Sequence, residues 1–214
     1  MRSYEHLKRA ISNSSVIEKP YKHVVVDNAL PWDFYDELMD NLNTTSFASV
    51  SFYPGDHTKV CSNNCGCWEF LNEMNKVDFS QMLSDKFQTP NGRSHCFLHK
   101  DTCGYEISPH RDIPSKLISY MLYLPRDPSH KELGTMICKP KREIEGSREK
   151  WFEWDDFEHT TIDFIPNRFF AFAPSENSFH AVKHETPNVN RFIVRGFVFD
   201  TTKKLPGYLS ITNL

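Results

Sequence analysis

The sequence predicts a mainly β domain with helices at its N-terminal end (α+β class), and three observations support this prediction. From residue 94 onward, short segments rich in β-branched and aromatic residues are separated by Pro, Gly, Asn and Asp, a pattern typical of antiparallel sandwiches and small barrels. Upstream of these segments, apolar residues recur at helical spacing. Aromatic residues make up 14% of the 214 residues, including 17 Phe, which suits a β-rich core.

The N-terminal part is expected to form one clear strand and several helices. The β-branched run HVVV lies between Pro20 and Pro31 and predicts a strand. An amphipathic helix follows, because Phe34, Leu38 and Leu42 recur at helical spacing. The remaining predictions in this part are a weak helical face over 1–19, a polar loop over 43–66 with one strand near 49–53, and helices over 68–75 and 78–87.

The C-terminal part is expected to form the β core. Strands are predicted over 94–99, 104–108, 117–124, 135–139, 160–165, 169–173 and 191–199. The charged, Trp-bearing stretch 139–159 interrupts them, and we expect it to be a long loop with one helical turn.

Length, charge and cysteine content indicate one soluble domain. A chain of 214 residues can bury a sufficient core without disulfides or a structural metal. We therefore expect a single domain, 1–214, in which residues 1–90 support a core over 94–200. The chain lacks an 18-residue apolar run and a secretory signal, so we expect no membrane contact, a cytoplasmic location and reduced cysteines. A net charge of -3 argues against a nucleic-acid partner. The sequence is silent on oligomeric state.

Two histidines and one carboxylate are candidate metal ligands. His110 and Asp112 stand two residues apart, so in a strand or at its end their side chains point to the same side. His180 follows the strand-like run FFAFAP. This set matches the facial triad that suits non-haem Fe(II), and catalytic zinc also uses three protein ligands. Taken alone, the H-x-D spacing favours a plain surface ion pair. His184 is expected to be solvated.

The predicted strand RFIVRGFVFD places two arginines on one face. Arg191 and Arg195 alternate with apolar residues that face the other way, and one of the two faces is interior in a two-layer fold. A buried guanidinium needs a partner, since removing that partner costs about 3–5 kcal/mol. An anionic ligand that Arg binds bidentately would satisfy this need. For Arg195, an ion pair with a loop carboxylate is the plain alternative.

Several segments occur in a familiar order: HRD, LISYMLYLP, LGTMI, IDFIPNRFFAFAPSENSFHAV and RFIVRGFVFD, over about residues 94–200. In this order the chain resembles the Fe(II)/2-oxoglutarate-dependent dioxygenases, and most closely their prolyl-4-hydroxylase-like branch. The opening PYKHVVVDNALPWDFYDEL resembles the N-terminal strand and helix common in that branch. The resemblance implies a double-stranded β-helix (jelly roll, cupin-like) that hydroxylates an unactivated C–H of a peptidyl proline, a free amino acid or another small metabolite.

The resemblance also implies roles for individual residues. His110, Asp112 and His180 would hold Fe(II), with 2-oxoglutarate and O2 as co-substrates, ascorbate as a reductant, and succinate and CO2 as products. Arg191 would bind the distal carboxylate of 2-oxoglutarate, and Tyr123 stands where the branch often places a hydroxyl against that carboxylate. Arg195 departs from the branch, which commonly holds a small or hydroxyl residue there; it would bind the co-substrate or an anionic part of the substrate. The carboxylate of Asp112 favours hydroxylation over halogenation, while desaturation and cyclisation stay open.

Other interpretations of the same residues stay open. The triad also suits a zinc hydrolase, which would not need Arg191, and a cupin-like binding module without turnover. Separately, the cysteines of the run CSNNCGC are free thiols, a disulfide or a metal site with His57. Free thiols are favoured, because the spacing of Cys61, Cys65 and Cys67 matches no standard zinc pattern.

Overall fold

The computed structural model describes residues 2–42, 44–49, 57–61, 68–144 and 151–204. Within these ranges the chain forms four α-helices and eleven strands. The helices are α1 (Arg2–Asn13), α2 (Trp32–Leu42), α3 (Trp68–Met74) and α4 (Val77–Phe87). The strands are β1 (His23–Val26), β2 (Phe47–Ser49), β3 (Thr58–Cys61), β4 (Gly92–Asp101), β5 (Glu106–His110), β6 (Lys116–Tyr123), β7 (Met136–Pro140), β8 (Phe157–Thr161), β9 (Phe169–Phe172), β10 (His180–Lys183) and β11 (Arg191–Asp200).

The strands form two antiparallel sheets. The larger sheet has seven strands in the order β1-β9-β6-β11-β4-β3-β2, and the smaller has four in the order β5-β10-β7-β8. The long strands β4 and β11 pair from Arg191 opposite Asp101 to Asp200 opposite Gly92. Because neighbours in each sheet are distant in sequence, the chain crosses repeatedly between the sheets, as in a jelly roll. The predicted mainly β fold with N-terminal helices is confirmed.

One face of the larger sheet packs against the helices. Alternation along β11 points Val194 and Val198 to this side, where they join Leu122 of β6 in the main core. The helices contribute to the same core Leu7, Ile11, Leu38, Phe70, Phe79 and Leu83. No helix in the described ranges is long and apolar enough to cross a bilayer.

The opposite face of the larger sheet borders a cavity between the two sheets. Arg191 and Arg195 both line this cavity, so the arginines share the interior face that the sequence pattern predicts. The smaller sheet supplies the other wall through Ile107 of β5 and Val182 of β10. The two sheets therefore place residues from distant parts of the chain around one space.

Some strands differ from the sequence prediction, and pairing explains why. Strand β8 begins at Phe157, earlier than predicted, because Phe157–Thr161 pairs along its whole length with β7 although most of its side chains are exposed. Strands β3 and β10 were not predicted from the sequence. Each is four residues long, which is too short to show the alternation of apolar and polar residues that marks a strand. The strand predicted near 49–53 falls mostly outside the described residues, and the helical turn predicted within 139–159 is Trp154–Asp156.

Gly196 lets β11 pass close under a buried tyrosine, and we expect its substitution to destabilise the fold. A Cβ at this position would overlap the ring of Tyr120, which is fully buried and hydrogen-bonded to Ser94 Oγ at 2.6 Å. We expect Gly196→Ala to lower the free energy of unfolding by about 3 kcal/mol, measured by urea denaturation. In a Tyr120→Leu background, which makes room, the same substitution should cost clearly less; an equal cost would contradict the overlap.

Candidate metal and co-substrate site

The three predicted ligands meet at one end of the smaller sheet. His110 ends β5 and His180 begins β10, and the two residues face each other across this antiparallel pair with ring centroids 4.2 Å apart. Asp112 follows β5 by two residues, and its Oδ2 lies 3.7 Å from His180 Nε2. One ligand atom from each residue lies within 4.8 Å of the others. The structure therefore brings together the residues that the sequence analysis grouped.

Backbone carbonyls orient both imidazole rings. Nδ1 of His110 lies 2.9 Å from the Ser108 carbonyl, and Nδ1 of His180 lies 3.0 Å from the Ser178 carbonyl. Because a carbonyl only accepts, Nδ1 of each neutral ring must carry the proton, which leaves the Nε2 lone pair for a metal. Burial and the neighbouring His180 lower the pKa of His110 to about 3, and burial lowers the pKa of His180. Both rings are thus in the neutral form that binds metals.

Asp112 is buried, 3% exposed, and is held by two donors. Ser119 Oγ donates to Oδ2 at 2.6 Å, and Lys116 Nζ donates to Oδ1 at 2.5 Å. Burial by itself raises the pKa of Asp112, but the neighbouring Lys116 ammonium outweighs this effect and holds the pKa below its usual range, so the carboxyl is ionised. A buried, anchored carboxylate is not the surface ion pair that the H-x-D spacing alone favours.

The residue between the ligands holds two loops together. Arg111 points away from His110 and Asp112, as alternation requires, and its Nη1 donates to Glu176 Oε2 at 2.6 Å. Its guanidinium also lies 4.9 Å from the ring centroid of Phe179, next to His180. Arg111 therefore ties the segment after β5 to the segment before β10.

The donor set fits a divalent metal. Two neutral imidazoles and one anionic carboxylate would hold such a metal and would not complete its coordination, which is the donor set of the facial arrangement for non-haem iron. Backbone and hydroxyl partners fix the three ligands before any metal binds, which is the usual role of outer-shell groups.

Arg191 lies deep in the cavity and has an internal partner. Its Nη1 donates to Asp101 Oδ2 at 2.5 Å, and its Nε donates to the Leu133 carbonyl at 2.5 Å. Arg191 is 2% exposed and Asp101 is 0% exposed. From the sequence we expect an anionic ligand to balance this arginine, whereas in the structure a carboxylate on the neighbouring strand β4 already does so. The side chain still borders the cavity.

Tyr123 lies behind Arg191. The guanidinium carbon of Arg191 is 5.9 Å from the Tyr123 ring centroid, and the Tyr123 hydroxyl accepts a hydrogen bond from the Thr135 backbone N–H at 2.9 Å. Thr135 itself borders the cavity. Tyr123 is thus near the arginine that the sequence analysis paired it with, and it contacts the cavity wall through Thr135.

Arg195 faces the same cavity two residues further along β11. Its Nη1 donates to the Tyr105 hydroxyl at 2.5 Å, and its Nη2 lies 3.2 Å from His99 Nδ1. All three residues border the cavity. The aromatic and imidazole groups hold the guanidinium in place in the cavity wall.

Several residues of the site escaped the sequence analysis. Lys116 and Ser119 hold Asp112, and Asp101 balances Arg191, yet no short motif marks any of the three. Their positions depend on the pairing of β4, β6 and β11, and that register is not written in local sequence. The expected solvation of His184 is wrong: it is 1% exposed, and its Nε2 lies 3.0 Å from the Val189 carbonyl.

The cysteine cluster is only partly visible. His57 is exposed and Cys61 is half-buried, while Cys65 and Cys67 lie outside the described residues. The metal, disulfide and thiol interpretations of this cluster stay as predictions.

Comparisons with known proteins show which solved structures share this fold. No protein-family model and no curated protein matches the sequence. A prolyl hydroxylase from Trichoplax adhaerens, in complex with a hypoxia inducible factor oxygen degradation domain peptide, is 14% identical with a TM-score of 0.55, over 93% of this chain and 90% of that one. A prolyl-4-hydroxylase from Pseudomonas putida is 12% identical with a TM-score of 0.57, over 90% and 98%. The epimerase SnoN in complex with Fe3+, α-ketoglutarate and nogalamycin RO is 12% identical with a TM-score of 0.52, over 95% and 90%.

These likenesses extend over nearly the whole chain at low sequence identity, so they show a shared architecture. The resemblance drawn from the order of sequence segments is confirmed at the level of fold. The chain has the jelly-roll fold of the Fe(II)/2-oxoglutarate oxygenases, and prolyl hydroxylases are among the structures that share it.

Proposed function

We propose that the protein is an Fe(II)- and 2-oxoglutarate-dependent dioxygenase that hydroxylates an unactivated C–H bond. The observation that supports this most directly is the preformed triad of His110, Asp112 and His180 in the same cavity as Arg191. A metal triad alone also suits a zinc hydrolase, but a buried arginine across the cavity suits a co-substrate that carries a carboxylate. The shared fold supports the same reaction class.

The chain's residues have distinct tasks in this reaction. His110, Asp112 and His180 would hold iron. Arg191 would bind the distal carboxylate of 2-oxoglutarate, and Tyr123 and Thr135 lie next to this arginine. When bound, iron and 2-oxoglutarate supply the oxidising chemistry, in which one O2 is consumed and succinate, CO2 and the hydroxylated product are released, with ascorbate as a reductant.

The remaining residues prepare the site before the reaction. Ser119 and Lys116 keep the Asp112 carboxylate ionised and fixed in orientation, so little reorganisation is needed when metal binds. Met121, Phe172 and Ile193 form apolar walls, which exclude water and strengthen the charge interactions inside. The substrate is a peptidyl proline, a free amino acid or another small metabolite; the inward Arg195 favours a small anionic one.

Anaerobic visible absorption tests the proposed function. We expect a charge-transfer band when the protein is given Fe(II) and 2-oxoglutarate together, and no band with either alone. Adding O2 should then convert 2-oxoglutarate to succinate, slowly without substrate. Tight retention of zinc with no band and no succinate would contradict the dioxygenase and favour the hydrolase or a non-catalytic binding module.

A further inference from the structure

Two cations other than Arg191 face the cavity near the metal ligands. Lys116 enters from β6 and Arg195 from β11, and both side chains border the cavity. The Lys116 ammonium donates to Asp112 and lies 3.8 Å from the ring centroid of Phe197. An ammonium has three N–H donors, so the bond to Asp112 leaves others for a ligand.

The two cations act on each other. Both side chains line the same buried cavity, where the Asp112 carboxylate is in contact with Lys116. Like charges that face one low-dielectric space repel. An anion bound between Lys116 and Arg195 would offset that repulsion.

Charge counting indicates what kind of anion fits. Among the described residues that border the cavity, the only carboxylate is Asp112, against Lys116, Arg191 and Arg195. Arg191 is already balanced by Asp101. Fe(II) and the 2-oxoglutarate dianion cancel each other. Over these side chains the loaded cavity therefore keeps one positive charge, which a single carboxylate group placed beside them balances and a phosphate dianion would exceed.

We propose that the primary substrate carries a carboxylate, which Lys116 and Arg195 bind beside the metal site. This inference rests on the proposed function and names the substrate class for it. A planar carboxylate suits the fork of a guanidinium, and the ammonium adds a second, point-like contact. The carboxylate belongs either to a free amino acid or to an acidic side chain of a peptide, because both present the same group.

The test uses the full chain with Fe(II) and 2-oxoglutarate under anaerobic conditions. Three sets of probes are added: the free L-amino acids, their C-terminal amides, and N-acetylated, C-amidated peptides that contain Asp or Glu. We expect at least one carboxylate probe to shift the charge-transfer band and accelerate succinate formation once O2 is admitted, while the matching amide, which lacks the carboxylate, does neither. A response to free amino acids indicates a metabolite substrate, and a response to the acidic peptides alone indicates a peptide substrate.

Variants then assign the two cations. We expect Arg195→Gln and Lys116→Met each to weaken binding of the responding probe by about tenfold to a hundredfold, as loss of a charged hydrogen bond does. The dissociation constant of 2-oxoglutarate should stay near its wild-type value in Arg195→Gln. Arg93→Gln, an exposed arginine on β4, is the matched control and should bind the probe normally. If Lys116→Met loses iron through its contact with Asp112, Arg195→Gln still decides the question.

The outcomes separate this inference from the function on which it rests. A normal band with 2-oxoglutarate, combined with no response to any carboxylate or an equal response to the amides, would overturn the carboxylate substrate and leave the dioxygenase intact. A full response in both cation variants would do the same. Failure to form the band at all would overturn the dioxygenase, and the substrate class with it.

Discussion

His180→Ala is expected to abolish both the charge-transfer band and the conversion of 2-oxoglutarate to succinate. The substitution removes one of the three proposed metal-binding atoms, and the two that remain, on His110 and Asp112, cannot form a facial set. Loss of a group that merely supports a metal ligand costs about 10–100-fold in affinity or activity, so loss of a ligand should cost more. The measurement is Fe(II) titration followed by visible absorption and succinate release.

The control must separate lost chemistry from lost structure. His180 contacts Phe172, with ring centroids 4.7 Å apart, so its truncation also opens a small space in the wall. We expect His180→Ala to remain folded, with a cooperative thermal transition, because the ring is neutral and leaves no buried charge behind. His159→Ala, on the exposed side of β8, should keep full activity. A His180→Ala protein that still turned over 2-oxoglutarate would contradict the assigned metal site.

The sequence grouped the three proposed metal ligands, which the structure brings together, but it did not mark the residues around them, and the reason is physical. His110 and Asp112 stand two residues apart, and strand geometry puts such residues on one side whatever the rest of the chain does. His180 became recognisable from its place in the order of segments. Both inferences use local geometry or linear order, which a sequence displays directly.

The partners of these residues depend on long-range pairing instead. Asp101 and Arg191 are directly opposite in the β4–β11 pair although ninety positions separate them. A register shift of one residue would turn Asp101 to the other face of the sheet, and nothing in the local sequence excludes that shift. Lys116 is similarly unmarked, because a lysine at the start of a strand is usually solvated. Elements with strong apolar patterns were predicted well, and short paired strands such as β10 were not.

The Asp101–Arg191 pair leads to the second large effect. We expect Arg191→Met to lower the free energy of unfolding by about 3–5 kcal/mol, because it leaves the buried Asp101 carboxylate without its cation. Asp101 keeps a hydrogen bond from Thr58 Oγ1 at 2.5 Å, which a neutral amide could also accept. In the double variant Asp101→Asn/Arg191→Met the uncompensated charge is gone, so we expect a favourable coupling of about 1–3 kcal/mol, measured by denaturant unfolding.

The same variants separate the structural role of Arg191 from its proposed role in binding 2-oxoglutarate. If Arg191 binds the co-substrate, Arg191→Met and the double variant should both raise the dissociation constant of 2-oxoglutarate by about tenfold to a hundredfold. The double variant should do so even though it recovers stability. Asp101→Asn alone should be destabilised and yet bind 2-oxoglutarate at least as well as the wild type, because its arginine is no longer neutralised. The opposite outcome is that the affinity for 2-oxoglutarate falls in proportion to the free energy of unfolding across all three variants. In that case Arg191 is a structural ion-pair partner only, and another cation binds the co-substrate.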